Sequence, residues 1–149
     1  MRVAVAADHA GFTLKAPIVE WLRALGHEPV DFGTDSTEPV DYPDVIAPAA
    51  QAVAAGECQR GIVLGGSGTG EGIVANKVPG IRCVVASDPV TARLGREHND
   101  ANVLSMGTRI VGSELARACV EAFMDGQYQG GRHQRRIDKI SALERRPRP

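Results

Sequence analysis

The stretch from Gly61 to Lys77 constrains the fold of this chain more than any other. It reads GIVLGGSGTGEGIVANK, so that three branched apolar residues, 62–64, precede five glycines within eight positions. A short apolar run of this kind is typical of a parallel strand that is covered on both faces. The glycines predict a sharp turn from this strand into a helix, because residues without a Cβ atom let successive N–H groups converge on one point.

Glu71 is the only acidic residue in this turn. A carboxylate beside several backbone donors can remove a proton next to a carbonyl, because it supplies the base and the amides can stabilise the oxyanion. The alternative is a cradle that binds a phosphate or nucleotide without chemistry. The Walker pattern is absent, since no Gly-Lys-Ser/Thr closes the loop, and the dinucleotide fingerprint lacks its third glycine. The loop by itself leaves both functions open.

Length and cysteine content predict one domain in a reducing compartment. The 149 residues suffice for a single core, and the opening MRVAVAA predicts a strand rather than a signal peptide. We therefore expect a cytoplasmic protein with no membrane segment. The widely spaced Cys58, Cys83 and Cys119 lack paired metal-ligand spacing, so we expect reduced thiols, no metal and no cofactor. The domain covers residues 1–149, with a basic C-terminal helix and tail over 132–149.

Strand and helix signals alternate along the whole sequence. Between the predicted helices, the strands cover residues 2–7, 28–32, 61–64, 82–86 and 103–106. Such alternation requires a parallel sheet with helices on both faces, because each right-handed crossover carries its helix over the sheet. We therefore expect an α/β fold, a Rossmann-like three-layer sandwich whose five-stranded parallel sheet has the order 2-1-3-4-5, followed by a C-terminal helix.

Polar residues follow the predicted strands and the fourth helix. Ligands of open parallel sheets bind beyond the carboxyl ends of the strands, so we expect the sheet to gather these residues there. They are Asp8, His9, the loop from Gly66 to Glu71, Ser87, Asp88, His98, Asn99 and Arg109. Each has a structural explanation when taken singly, such as a helix cap or a favourable position near a helix dipole. Together they predict a ligand site.

Charge is distributed unevenly along the chain. Seven basic residues against Asp138 and Glu144 give the segment 132–149 a local charge of +5, whereas the whole chain carries −1. This segment has no interleaved aromatic residues and belongs to an otherwise acidic protein, so we expect no nucleic-acid partner. Within it, Arg132 and Arg136 are spaced to share one face of a helix.

Taken together, the motifs resemble the ribose-5-phosphate isomerase B family, which also includes galactose-6-phosphate and allose-6-phosphate isomerases. They extend over nearly the whole chain and keep the order and spacing of the family. They are DHAGF at 8–12, DYP at 41–43, GSGTG at 66–70, ANK at 75–77, EHN at 97–99, GTR at 107–109 and GRHQ at 131–134. The resemblance implies the Rossmann-like fold expected above, assembled as a homodimer or a dimer of dimers.

The resemblance also implies a reaction and its catalytic residues. The reaction is the interconversion of ribose 5-phosphate and ribulose 5-phosphate through an enediolate, with a hexose 6-phosphate as the alternative substrate. Many family members have a cysteine base where this sequence has Gly65, and another branch has a glutamate that corresponds to Glu71. We therefore expect Glu71 to be the base, Ser67 to help reprotonate oxygen and His98 to open the sugar ring.

The remaining expected site residues bind the substrate. The oxyanion is expected to contact the backbone amides of Gly66, Ser67, Gly68, Thr69 and Gly70. Asp8 and Asn99 are expected to hold sugar hydroxyls.

The phosphate is expected to contact His9, Arg109, Arg132 and Arg136, because guanidinium groups match phosphate oxygens well. We expect the two C-terminal arginines to act across a dimer, since so charged a helix has little reason to cover its own sheet. His133 matches a family motif, and a structural role is as consistent with the sequence as a role in binding.

Overall fold

Five strands alternate with five helices and a sixth helix follows within residues 1–144, the part of the chain that the computed structural model describes. In chain order the elements are β1 (Arg2–Ala7), α1 (Phe12–Ala24), β2 (Glu28–Asp31), α2 (Tyr42–Ala54), β3 (Arg60–Gly65), α3 (Thr69–Ala75), β4 (Cys83–Val85), α4 (Pro89–Asn99), β5 (Val103–Gly107), α5 (Ser113–Asp125) and α6 (Arg132–Glu144). The predicted alternation and the C-terminal helix are confirmed, and residues 145–149 of the predicted tail lie outside the described residues. No helix within residues 1–144 has the length and apolar character needed to span a bilayer.

The strands form one parallel sheet in the order β2-β1-β3-β5-β4. The predicted order 2-1-3-4-5 is therefore wrong at one end, where β5 lies inside the sheet and β4 at its edge. Burial explains the difference. Every residue of β5 is buried, whereas β4 has only three residues and leaves Val85 43% exposed. A fully buried strand needs neighbours on both sides, and a short, partly exposed strand suits an edge.

The strand order determines which helices share a face of the sheet. The crossovers through α2 and α3 run toward β4, and those through α1 and α4 run in the opposite direction. Because crossovers are right-handed, the two directions place their helices on opposite faces. Accordingly, α2 packs against α3 on one face, and α1 and α4 both contact α5 on the other. One apolar cluster lies on each side of the sheet.

Helix α4 runs from the carboxyl ends of the strands back to their amino ends. We call these two ends the carboxyl edge and the amino edge of the sheet. It begins beyond the carboxyl end of β4, where both Asp88 carboxylate oxygens accept hydrogen bonds from Thr91. It ends at Asn99, whose carbonyl accepts a hydrogen bond from Arg82, the residue immediately before β4. The last turn of α4 therefore lies at the amino edge of the sheet. A five-residue strand separates the two edges by about 17 Å.

Helix α6 packs against the last turn of α4. His133 stacks on His98, with 4.4 Å between the ring centroids and an interplanar angle of 9°. At the far end of α6, the Glu144 carboxylate accepts a hydrogen bond from the Gly80 amide at 3.1 Å. His133 and Ile137 are the buried residues of this helix, so most of its surface faces away from its own domain.

Candidate active site

The carboxyl edge of the sheet brings together three of the expected segments. Asp8 and His9 follow β1, the glycine loop (residues 66–70) follows β3, and Arg109 lies just after β5. Because β1 and β5 flank β3, these segments are neighbours, whereas the predicted order would have placed β4 between β3 and β5. We call them the carboxyl-edge set.

The turn in the glycine loop is held by Gly68 and Ser105. Gly68 has φ of 78°, and a Cβ atom there would lie 2.7 Å from the backbone of Met106, so only glycine fits. The buried Ser105 hydroxyl donates to the Gly68 carbonyl at 2.6 Å. Sequence reasoning missed Ser105, although a single hydroxyl within the apolar strand β5 is a signal of such a contact.

Glu71 lies in the first turn of α3 and points back under the end of β3. Its side chain is buried, with 3% exposure. A Cβ atom built on Gly65 would overlap the Glu71 carboxylate. The carboxylate therefore occupies the space that a side chain at position 65 would fill. A cysteine at position 65 and an inward-pointing Glu71 exclude each other for this steric reason.

The surroundings of Glu71 favour a stronger base than an exposed glutamate. Burial raises the pKa of Glu71, and the nearby Asp8 carboxyl raises it further through its charge and a hydrogen bond. The amides of Glu71 itself and of Gly68 act in the opposite direction, and the net pKa is still raised. Desolvation thus outweighs the helix N-terminus, which by itself favours the ionised form. A base works best when its pKa lies near the working pH.

The amides of the glycine loop do not act as one cradle. The Thr69 amide donates to the Ser67 hydroxyl at 3.2 Å, and the Gly68 amide acts to lower the pKa of Glu71. The amides of Gly66 and Ser67 meet no acceptor within residues 1–144. The Gly70 amide has no acceptor within residues 1–144 either, so Thr69 is the one of the five expected oxyanion donors that is hydrogen-bonded inside the loop.

Two more residues of α2 and the preceding loop contact this edge. The Tyr42 ring lies over Gly70, where a Cβ atom would be 2.9 Å from the ring. The Val40 amide donates to His9 Nδ1 at 3.2 Å. His9 in its neutral form therefore carries its proton on Nε2 and can donate from that atom. Sequence reasoning noted the DYP motif at 41–43 but gave Tyr42 no role.

Arg109 is anchored to the glycine loop. Its backbone amide donates to the Gly66 carbonyl at 2.9 Å, and its guanidinium group runs along Gly66. The salt bridges within residues 1–144 do not include Arg109. The guanidinium group is thus available to an anion beside the loop.

His98 and Asn99 lie at the opposite edge of the sheet. The expectation that the sheet gathers them beside Glu71 is wrong for a single chain, because α4 runs antiparallel to the strands and ends at the amino edge. Arg132, His133 and Arg136 of α6 lie at the same edge. We call these three residues, together with His98 and Asn99 of α4, the amino-edge set. Ser87 and Asp88 do follow β4 at the carboxyl edge, and Asp88 caps α4.

The amino-edge set is rich in positive charge. Burial and the neighbouring His98, Arg132 and Arg136 lower the pKa of His133. Burial and the charges of the two arginines disfavour a protonated His133 ring, so the site favours its neutral form. His133, for which the sequence left a structural role and a role in binding equally open, stacks on the His98 ring and holds it in place.

None of the three cysteines has the properties of a reactive thiol. Burial raises the pKa of Cys83 to about 12, that of Cys119 to about 11, and that of Cys58 above its ordinary value. Such thiols stay protonated and unreactive at neutral pH. Within residues 1–144, the His, Cys, Asp and Glu side chains form no group of three that could hold a metal ion.

A buried carboxyl group beside amides and a guanidinium group, at the carboxyl edge of a parallel sheet, defines an α/β protein with a candidate acid–base site. The family model described as Ribose/Galactose Isomerase matches residues 3–140. Ribose-5-phosphate isomerase B of Escherichia coli is 50% identical over 145 residues, which are 97% of each chain. The chain belongs to the ribose/galactose isomerase family.

Solved structures of relatives agree over nearly the whole chain. Ribose-5-phosphate isomerase B of Clostridium thermocellum matches with a TM-score of 0.95 and 48% identity, covering 97% of both chains. The enzyme of the same name from Mycoplasma genitalium, solved with bound ribulose-5-phosphate, matches with a TM-score of 0.94 and 36% identity over 98% of this chain and 97% of that chain.

Proposed function

We propose that this chain is an aldose–ketose isomerase that interconverts ribose 5-phosphate and ribulose 5-phosphate through an enediolate. The observation that carries the proposal is the buried Glu71 carboxyl group, which fills the side-chain space of Gly65, the residue directly before Gly66 and Ser67 in the chain. The names of the relatives, one of them solved with ribulose-5-phosphate, support the choice of substrate.

Glu71 removes the proton from C2 of the open-chain aldose. The electron pair of the C–H bond then forms the C1–C2 double bond, and the aldehyde oxygen becomes the oxyanion. The amides of Gly66 and Ser67 stabilise this charge. Glu71 returns its proton to C1, and the hydroxyl on C2 becomes the ketone. The exposed Ser67 hydroxyl assists proton exchange between the two oxygens.

Substrate binding uses both sets of residues. Arg109 and the Nε2–H of His9 bind the phosphate from the carboxyl edge. Asp8 lies next to Glu71, where the sugar carbons bind, and therefore contacts a sugar hydroxyl. From the amino-edge set, His98 opens the furanose ring and Asn99 holds a hydroxyl, while Arg132 and Arg136 contribute to the phosphate site.

A complete site requires two chains in this proposal. In one chain the amino-edge set lies about 17 Å from the carboxyl edge, farther than one pentose phosphate can reach. A second copy, related by a two-fold axis, brings its own amino-edge set to the glycine loop of the first. His98, Asn99 and the two arginines are then donated together, because the stacking of His133 on His98 joins α6 to α4.

Exposed apolar side chains support a second copy as the partner. Ile73 and Val85 line a 320 Å³ cavity beside α3, and Ile140 and Leu143 of α6 line a 380 Å³ cavity that also includes Asn99. All four of these apolar residues are exposed in the single chain. A patch of this kind next to both sets is typical of a contact between subunits.

A coupled assay tests the function. The purified protein is offered ribose 5-phosphate, allose 6-phosphate and galactose 6-phosphate, and we expect the highest kcat/KM with the pentose. Preference for a hexose would change the substrate class. Binding of sugar phosphates in a thermal-shift assay without turnover of any of them would favour a phosphate-binding module and refute the isomerase.

Gly65→Ala is expected to lower kcat about 10²-fold, because the new methyl group displaces the Glu71 carboxylate by about 1 Å. The clash is with the far end of a flexible side chain, so the fold should persist. Gly112→Ala is the matched control, since a Cβ atom at Gly112 meets nothing within 4 Å. Equal activity of the two variants would show that the position of Glu71 does not limit the reaction.

His98→Asn is expected to slow turnover of cyclic ribose 5-phosphate by about 10²-fold. Exchange of the C1 hydrogen of ribulose 5-phosphate with deuterium from solvent needs no ring opening, so this exchange should persist. NMR of the ketose in deuterium oxide measures the exchange. Equal loss of both activities would assign His98 to proton transfer rather than to ring opening.

We also propose that the protein is cytoplasmic. Its three cysteines are all free thiols, and reduced cysteines are typical of that compartment. Fractionation of the source cells tests the location.

A further inference from the structure

The Glu71 carboxyl group lies beside the Asp8 carboxyl group. Asp8 follows β1 at the position opposite Gly65, since Ala7 pairs with Leu64 in the sheet. Paired residues of adjacent strands lie about 4.8 Å apart, and their side chains leave the sheet on the same face. The Glu71 carboxyl fills the side-chain space of Gly65, which places it next to the Asp8 position, and Asp8 raises the pKa of Glu71.

Both carboxyl groups are buried and have no cation. Asp8 is 6% exposed and Glu71 is 3% exposed. Within residues 1–144, neither takes part in a salt bridge. The Gly11 amide donates to Asp8 Oδ1 at 2.8 Å and holds that carboxyl in place. Two such carboxylates in contact cannot both carry a full charge at low cost.

The other elements around Glu71 bring few ionisable groups. From the segment after β5, the Arg109 guanidinium group runs along Gly66, and Arg109 forms no salt bridge with Glu71 within residues 1–144. From α2, the Tyr42 ring lies over Gly70. Asp8 is therefore the charged group that acts most directly on Glu71.

We propose that Asp8 sets the proton affinity of Glu71 and that the two carboxyl groups act as a pair during proton transfer. This inference rests on the proposed function, in which Glu71 is the base. The charge of Asp8 disfavours a second negative charge beside it, which makes Glu71 a stronger base. When Glu71 takes the C2 proton it becomes a carboxylic acid, and its new O–H donates to Asp8. This hydrogen bond holds the proton until the C1 carbon of the enediolate takes it back.

Asp8→Asn tests the pair through the pH profile. The amide can still accept the Gly11 N–H, so the fold should persist, but the charge is gone. We expect the acidic limb of kcat/KM to move to lower pH by about one pH unit, and kcat at neutral pH to fall about three- to tenfold. A residue that only held a sugar hydroxyl would raise KM and leave the acidic limb where it is, and that result would overturn the proposal.

A second measurement does not depend on activity. Protein labelled with ¹³C at glutamate carboxyl groups is titrated by NMR, and the Glu71 signal is assigned by its loss in Glu71→Gln. The titration midpoint of Glu71 should be lower in Asp8→Asn than in the unmodified protein. Asp44→Asn is the control, because Asp44 is an exposed carboxylate in the first turn of α2, and it should leave the midpoint unchanged.

The two proposals can fail separately. An unchanged midpoint in Asp8→Asn, with turnover still lost in Glu71→Gln, refutes the pair and leaves the isomerase standing. A lowered midpoint in a protein that isomerises no sugar phosphate supports the electrostatic effect of Asp8 and refutes the proposed function.

Discussion

Replacing Glu71 by glutamine should remove most isomerase turnover while the fold and substrate binding persist. The amide keeps the shape of the side chain, but it cannot accept the C2 proton. Loss of a general base typically costs about 10²–10⁴-fold in rate. The coupled assay measures kcat, and incorporation of deuterium from solvent at C2 of ribose 5-phosphate follows the same step. Both should fall together.

Stability measurements separate loss of the base from loss of the fold. The raised pKa of Glu71 means that the folded protein holds this proton more tightly than the unfolded chain does. The free energy of unfolding should therefore decrease as the pH rises above 4.5, the ordinary value for glutamate, through the folded-state pKa. Glu71→Gln should remove this dependence. Glu114→Gln, an exposed change in α5, serves as the control. Normal deuterium exchange in Glu71→Gln would place the base elsewhere.

Mixing two inactive variants should restore activity if each site is shared between chains. One variant is Glu71→Gln, and the other is Arg132→Ala/Arg136→Ala. In a hybrid dimer, the site that combines the intact Glu71 of one chain with the intact arginines of the other is complete. Random exchange makes half of the dimers hybrids with one intact site each, so activity should rise to about a quarter of the unmodified level.

Two controls define the outcome of the mixing experiment. Glu71→Gln mixed with Glu71→Ala should stay inactive, because no hybrid of these variants holds an intact base. Mass measurement of intact dimers reports how many hybrids have formed. If hybrids of the first pair form and no activity returns, the arginines serve their own subunit or bind no phosphate.

Local features of the chain were predictable because they depend on neighbouring residues. The apolar run before Gly65 and the glycines after it predict a buried strand and a sharp turn, and both are present as β3 and the glycine loop. Gly26 follows the end of α1, and its φ of 79° is the left-handed conformation that favours glycine after a helix. Backbone sterics act over a few residues, so the residue types report these features directly.

The order of β4 and β5 in the sheet depended on the tertiary structure. Strands β4 and β5 both have short apolar sequences, and only competition for buried positions places β5 inside the sheet. The position of His98 at the amino edge, by contrast, already follows from the predicted alternation, because a crossover helix between parallel strands returns to their amino ends.

The environment of Glu71 also could not be read from the sequence. Sequence alone identified the carboxylate and the glycines around it, and the resemblance to the family implied its role as the base. That it fills the side-chain space of Gly65, next to Asp8, follows from the pairing of β1 with β3, two strands that are more than fifty residues apart. Burial and charge at a site arise from such distant contacts, and these set the proton affinity of the base.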